Sequence, residues 1–306
     1  MTRAYMTRAL GRYKLSAMQS IFSPLFSEIV EQIEGAVLDA AGYLVAAMES
    51  GAQIETTLKA DKTQVMNLDL ESQRRILARL PNTYPILAEE DESSHTLIEA
   101  GGSYFLVDPL DGTTSCKRFH GELGGQVGYG PLLGFVKDNV LSVAAFYNIP
   151  QRKLFTAVRG EGCWVTTIEE PSALRIEGRK RLQPTSCNTL AGAGVLFFIG
   201  KHGESPVVQH LRNKDALENL YRFGGFANDC SRLAQGLEQV SVQFTVKPWD
   251  LSAALLASEA GLQVYLDPLR RKVPLAEWRI EANNPLIAVT AALSQELFTV
   301  LDQIKG

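Results

Sequence analysis

Asp108 and Asp111 stand three residues apart in "LVDPLDGTTS", residues 106–115, directly behind an apolar run. Carboxylates that close repel, and each resists ionisation unless something positive lies between them. The stretch therefore asks for a cation. Acids that fall at the ends of expected elements, beside small or turn residues, extend the set to Asp69, Glu89 and Asp250. Oxygen donors of this kind suit a hard divalent ion such as Mg²⁺, with water filling the remaining positions. Histidine and cysteine are absent from these positions, which argues against zinc. No loop carries oxygen ligands at alternate positions with the glycine that an EF-hand needs. In "DGTTS", Gly112 lets the backbone turn sharply. Thr113 and Thr114 then open a segment whose first N–H groups are unpaired, a start that binds phosphate oxygens. Metal-binding acids next to such a cradle imply metal-assisted phosphate chemistry. Taken singly, "DGT" reads as a β-turn with a threonine cap and Asp250 as a solvated acid. The combination carries the argument.

The elements that must position these acids follow from hydrophobic periodicity. Apolar residues recur every three or four positions from Ile21 to Met48, an amphipathic helix. Residues 59–67 read as a polar loop, and Asp69 to Leu80 as a second helix with Asp69 in its opening turn. "YPILAEED" is a short strand that delivers Glu89 and Glu90, and "SYFLVDP" a strand that Pro109 stops. Runs broken by Gly, Pro and Asn between about 125 and 167 predict consecutive antiparallel strands. Beyond a charged, Pro-containing stretch at 168–186 come a strand in "TLAGAGVLFFIG", a helix over 206–220, a helix in "CSRLAQGLEQ" and a strand in "VSVQFTV". A last helix in "WDLSAALLASEAG" is closed by Gly261. Two layered α/β subdomains are expected, 18–170 holding most of the metal site and 185–306 supplying Asp250 and substrate specificity.

Bulk properties narrow the function classes. The chain of 306 residues is 45% hydrophobic and 21% charged, with a net charge of −4, an ordinary globular composition. That charge gives no hint of a nucleic-acid partner, and no apolar run approaches the ~20 residues that cross a bilayer. Cysteines 116, 163, 187 and 230 are scattered without a CxxC, which reads as free thiols in a reducing, cytoplasmic compartment. Residues 1–17 are basic (Arg3, Arg8, Arg12, Lys14), with no acid before Glu28. They read as a dispensable tail, the alternatives being a transit segment or an upstream start, with Met6 and Met18 as other start positions.

"LAEED", "LVDPLDGTTS" and "KPWDLSAALLASEAG", in this order, closely resemble the three signatures of the inositol monophosphatase family of Mg²⁺-dependent, lithium-sensitive phosphatases. The resemblance runs over roughly residues 20–290, including "NNPLIA". It implies a layered αβαβα sandwich and hydrolysis of a small phosphate monoester, an inositol monophosphate or a related sugar or polyol phosphate. Histidinol-phosphate phosphatase and 3′(2′),5′-bisphosphate nucleotidase are the alternatives, and a catalytically inactive binding or regulatory protein the non-enzymatic one. Carried over by position, Glu89, Asp108 and the Leu110 carbonyl would bind a first metal, and Asp108, Asp111 and Asp250 a second. Glu89 would touch a third, which Asp69 reaches through water. Two or three Mg²⁺ ions are thus implied, with Mn²⁺ a substitute. Thr113, oriented by Glu89 or Asp69, would position the attacking water, while Gly112, Thr113 and Thr114 hold the phosphate. Lys59 matches a family lysine, and a homodimer is common in the family. The chain departs from the pattern in four places, three of them "VMNLD" before Asp69, the longer "SCKRFHG" after the threonines, and Gly261–Leu262 in place of a double glycine. A fourth is at Gln243, where inositol monophosphatases carry a glutamate that binds substrate hydroxyls. Gln243 is expected either to line the substrate pocket or to face solvent at its strand end. "NDC" at 228–230 resembles the histidinol-phosphatase "GDC".

Overall fold

Helix α1 (Ser27–Glu49) buries Val30, Ile33, Val37, Ala40, Ala41 and Leu44, the stripe that the periodicity requires. It begins later than expected, because Pro24 sits in a turn closed by Phe26 N–H on the Ser23 carbonyl at 3.1 Å. This computed structural model describes residues 21–51, 55–58, 64–119, 126–197, 219–221, 223–268 and 271–303. Residues 1–17, Lys59, most of the 206–220 segment and the end of the "SCKRFHG" loop lie outside the described residues. Part of the expected 59–67 loop is structured. Gln64–Met66 (β2) pairs antiparallel with Thr56–Leu58 (β1), and helix α2 (Asn67–Arg79) starts immediately after it. A three-residue strand is too short for alternation to register in sequence.

Seven strands form the first sheet in chain order: β3 (Ile86–Ala88), β4 (Tyr104–Asp111), β5 (Gly130–Lys137), β6 (Val140–Asn148), β7 (Lys153–Val158), β8 (Gly162–Thr167) and β9 (Lys180–Arg181). Only β3 and β4 run parallel; the rest is an antiparallel meander, and β9 carries the sheet beyond residue 170. Strand β4 does not stop at Pro109. It continues to Asp111, with its register against β5 shifting between Asp108 and Asp111, so the proline's missing N–H falls at a bulge.

The second sheet contains β10 (Gly194–Phe197), β11 (Asn219–Tyr221), β12 (Val240–Gln243), β13 (Gln263–Leu266), β14 (Val273–Pro274) and β15 (Leu286–Val289), in the order β11-β10-β12-β15-β13-β14. Residues 219–221 are thus strand, not the end of a helix.

Three apolar clusters fix the layers. Helices α1 and α2 cover one face of the first sheet, Ile33, Val37 and Ile76 packing with Phe105, Leu133 and Val143. On its other face lie α5 (Phe226–Ala234) and α6 (Ala254–Ala260), which also touch the second sheet. Helix α7 (Ala291–Asp302) closes the far side of that sheet through Leu293, Leu297 and Leu301, spaced four apart. Two short helices, α3 (Leu97–Ala100) and α4 (Thr113–Phe119), follow β3 and β4. The result is the expected αβαβα order, and β4 is buried along its whole length.

Candidate active site

The end of β4 is where the acids meet. Asp108 turns its carboxylate back so that Oδ1 accepts the Leu110 N–H at 2.9 Å. Asp111 reaches the other way, to the start of α5. Its Oδ1 accepts from Phe226 N–H at 3.1 Å and its Oδ2 from Ala227 N–H at 2.9 Å. It therefore caps a helix whose own cap position is a glycine with no side chain to offer. Asp250 stands at the head of the 3₁₀ turn Asp250–Ala253 that leads into α6. Ligand oxygens of Asp108, Asp111 and Asp250 all lie within 4.8 Å of one another.

Burial first, then mutual repulsion, sets the electrostatics. Asp108 and Asp250 are pushed well above the usual carboxylate range by loss of solvent and by the charges of their neighbours, Glu89 among them. Asp111 is raised to about 7, burial outweighing the α5 amides of Ala227, Phe226 and Asn228 that favour its charged form. None of the ion pairs among the described residues reaches these three aspartates. Left alone, the cluster retains protons; a hard divalent cation would replace them. A buried, all-oxygen donor set of this size fits such an ion.

Glu89 follows β3, its N–H donating to the Val107 carbonyl at 3.0 Å, and its charge bears on all three aspartates although it lies outside their 4.8 Å group. Asp69 is more remote. It is almost fully buried in the first turn of α2, where Oδ2 accepts the Met66 N–H at 2.6 Å, the reach-back half of a capping box. Ser72 on the same helix donates to the Pro109 carbonyl at 2.7 Å and ties α2 to the bulge.

Gly112 adopts φ +83°, and a Cβ there would meet Tyr129 Cβ at 3.1 Å and the Gly128 carbonyl at 3.2 Å, so no other residue fits without displacement. Cys116 N–H bonds to the Gly112 carbonyl at 2.9 Å, which leaves the amides of residues 113–115 ahead of the α4 ladder. Thr113 Oγ1 donates to the Leu110 carbonyl at 3.1 Å, a backbone partner rather than the expected carboxylate. Thr114 is exposed.

Gln243 does not face solvent. It is 4% exposed, and its Nε2 donates to Asp229 Oδ2 and to Ser241 Oγ, both at 3.0 Å. Asp229 Oδ1 is buried without a hydrogen-bond partner, and burial together with the Asp111 charge raises that carboxyl well above its usual range. Sequence reasoning missed this pair and the "GG" ahead of α5. Gly225, at φ +78°, would put a Cβ 2.8 Å from Asp111 Oδ2. Two glycines before "FAND" were the available signal.

The sequence profile of the inositol monophosphatase family matches residues 27–302. The chain belongs to the inositol monophosphatase family. A relative named Nus factor SuhB, from Pasteurella multocida, is 27% identical over 231 residues, 72% of this chain and 79% of that one. An inositol-1-monophosphatase of Rhizobium meliloti is 27% identical over 214 residues, covering 68% and 74%. Among solved structures, the extragenic suppressor protein SuhB of Bartonella henselae superposes with a TM-score of 0.73 at 21% identity, over 90% of this chain and all but 1% of that one. An IMPase/NADP phosphatase complexed with Mg²⁺ and phosphate gives 0.65 at 21% identity, over 85% and 90%. These likenesses show the inositol monophosphatase fold.

Proposed function

We propose that the chain is a Mg²⁺-dependent phosphatase acting on a small phosphate monoester, an inositol phosphate or a related sugar or polyol phosphate. The observation that supports it is the three-aspartate cluster, two of whose members stand directly before the Gly112–Thr114 turn. In this reading Glu89, Asp108 and the Leu110 carbonyl would hold one ion, Asp108, Asp111 and Asp250 a second, and Glu89 and Asp69 would serve a third. An ion held there would supply a lowered pKa for bound water and neutralisation of phosphoryl oxygens. The residues do the rest. Thr113 Oγ1, its proton committed to the Leu110 carbonyl, turns its lone pairs outward to accept from a water O–H. The amides of Gly112, Thr113 and Thr114 hold phosphate oxygens. Gln243 meets the leaving group. No Ser, Cys or His nucleophile takes part.

Phosphate release with Mg²⁺ should be measured across inositol-1-phosphate, histidinol phosphate, fructose-1,6-bisphosphate, 3′-phosphoadenosine 5′-phosphate and NADP. Turnover of a polyol phosphate that EDTA abolishes, and that Mn²⁺ partly restores, is the expected result; lithium should inhibit. Several relatives are named Nus factors, which favours a second reading as a binding protein. Absence of turnover on every ester, with divalent ions still bound, would support that reading instead.

A further inference from the structure

The residues immediately before three of the site's acids are linked to one another, and His95 makes the link that spans the molecule. Ala88 precedes Glu89, Val107 precedes Asp108, and Trp249 precedes Asp250. Glu89 N–H bonds to the Val107 carbonyl as part of the β3–β4 pairing. The end of β3 is gripped by the 3₁₀ turn Glu92–Thr96: Ala88 N–H donates to Ser94 Oγ at 3.0 Å, and His95 Nε2 lies 3.0 Å from the Ala88 carbonyl. Facing a carbonyl oxygen, that nitrogen must carry the proton. The same imidazole stacks on the Trp249 indole, with centroids 4.9 Å apart and planes at 30°. Ser94 anchors β3 within its own half of the fold; His95 reaches the segment that bears Asp250.

We infer that His95 is a positioning residue that holds Glu89 in register with Asp250, and so sets the affinity of the carboxylate site for divalent ions. Asp250 enters from the C-terminal half, and its ligand oxygens must stay within 4.8 Å of those of Asp108 and Asp111. Trp249 is nearly buried, so a ring packed on it restrains the backbone one residue from Asp250. Groups that orient metal ligands typically change affinity by about 10–100-fold when removed. The inference rests on reading Glu89 and Asp250 as ligands.

The test is direct Mn²⁺ binding, followed by the paramagnetic resonance signal of the free ion, which needs no turnover. His95→Ala should weaken binding by about tenfold, while phosphate release at saturating Mg²⁺ returns close to the wild-type kcat. His95→Gln keeps a donor at the Nε2 position and His95→Phe keeps the ring, so each should recover part of the loss. Near-ultraviolet circular dichroism reports folding; if His95→Ala does not fold, the Gln and Phe variants decide. A folded His95→Ala with a Kd within twofold of wild type overturns the inference, as do Gln and Phe variants that both bind like wild type. A wild type that binds no Mn²⁺ overturns the ligand reading itself, and this inference with it.

Discussion

Glu34 and Asp108 are both almost completely buried carboxylates, 1% and 2% exposed, and the fold treats them in opposite ways. Glu34, on α1, is met by Arg179 in a bidentate pair, both N–O distances 2.7 Å, and by the Thr156 hydroxyl. Its charge is neutralised within the chain, and the pair fastens the 171–181 segment onto α1. Asp108 instead faces Asp111 and Asp250, with Glu89 adding to the repulsion. Taking a charge out of water costs several kcal/mol unless a partner repays it. Arg232 and Glu238 repeat the first solution beneath α5. A buried acid with a built-in counter-charge is structural; a buried acid set against other acids expects its counter-charge from solution.

The contrast can be broken most sharply at Asp250. Asp250→Asn removes one charge from the cluster and keeps a side chain able to hydrogen-bond Asp108. Phosphate release should fall by on the order of a thousandfold or more, while the metal-free protein melts at a higher temperature than wild type. Activity within tenfold of wild type would show that Asp250 is no ligand. Asp111→Asn should be equally inactive but gain less apo stability, because an amide NH₂ would be turned towards one of the two α5 amides.

Glu34→Ala should do the reverse. It strands the Arg179 guanidinium, whose side chain is 19% exposed, and should cost about 2–3 kcal/mol in denaturant unfolding, below the range for a wholly buried pair. The Mn²⁺ Kd should not move. A metal affinity that changed with Glu34 would erase the distinction between the two regions.

Acidity separates them as well. Asp111, raised to about 7, binds a proton in the folded state at pH values where the unfolded chain has released it. Stability from this source is fully present below the unfolded carboxylate pKa and lost as pH rises through about 7. Asp108 and Asp250 act with the same sign. EDTA-treated protein should therefore melt higher at pH 6 than at pH 8, and saturating Mg²⁺ should remove most of that difference. A metal-free melting temperature that rises from pH 6 to pH 8 would contradict the assignment.

The smallest expected effect is at Gln243. Its amide donates to Asp229, so Gln243→Glu would set two carboxyls against each other at 3.0 Å. A loss of about 1 kcal/mol and a changed ranking among phosphate esters are expected, with the Mg²⁺ requirement intact. Asp229→Asn placed beside Gln243→Glu should restore the stability, and a single variant as stable as wild type would show that the pair does not act together.

How much of this was legible beforehand follows the range of the interactions. The acids and the Gly112 turn could be read because "LVDPLDGTTS" places them within ten residues, and their chemistry needs no distant partner to be recognised. The helix and strand order could be read from periodicity. The cap that Asp111 places on α5 could not, since its partners lie 115 and 116 residues away. Nor could the Asp229–Gln243 bond, which depends on how α5 packs on β12, or the His95–Trp249 stack, which depends on how the two halves of the chain meet. Pro109 misled because a proline is tolerated in a strand where the ladder slips, and the slip appears only when β5 is in place. Asn219–Tyr221 is three residues long and owes its strand state to pairing with β10.

One measurement bears most directly on the claim that the aspartate cluster is built for an external cation. EDTA-stripped, dialysed protein should be titrated calorimetrically with Mn²⁺ at pH 7, in two buffers of different ionisation enthalpy. Saturable binding accompanied by proton release is expected, because the ion displaces protons held by Asp108, Asp111 and Asp250. Asp250→Asn should lose both signals. No binding by the wild type, or binding of the same affinity and proton count in Asp250→Asn, would contradict the claim.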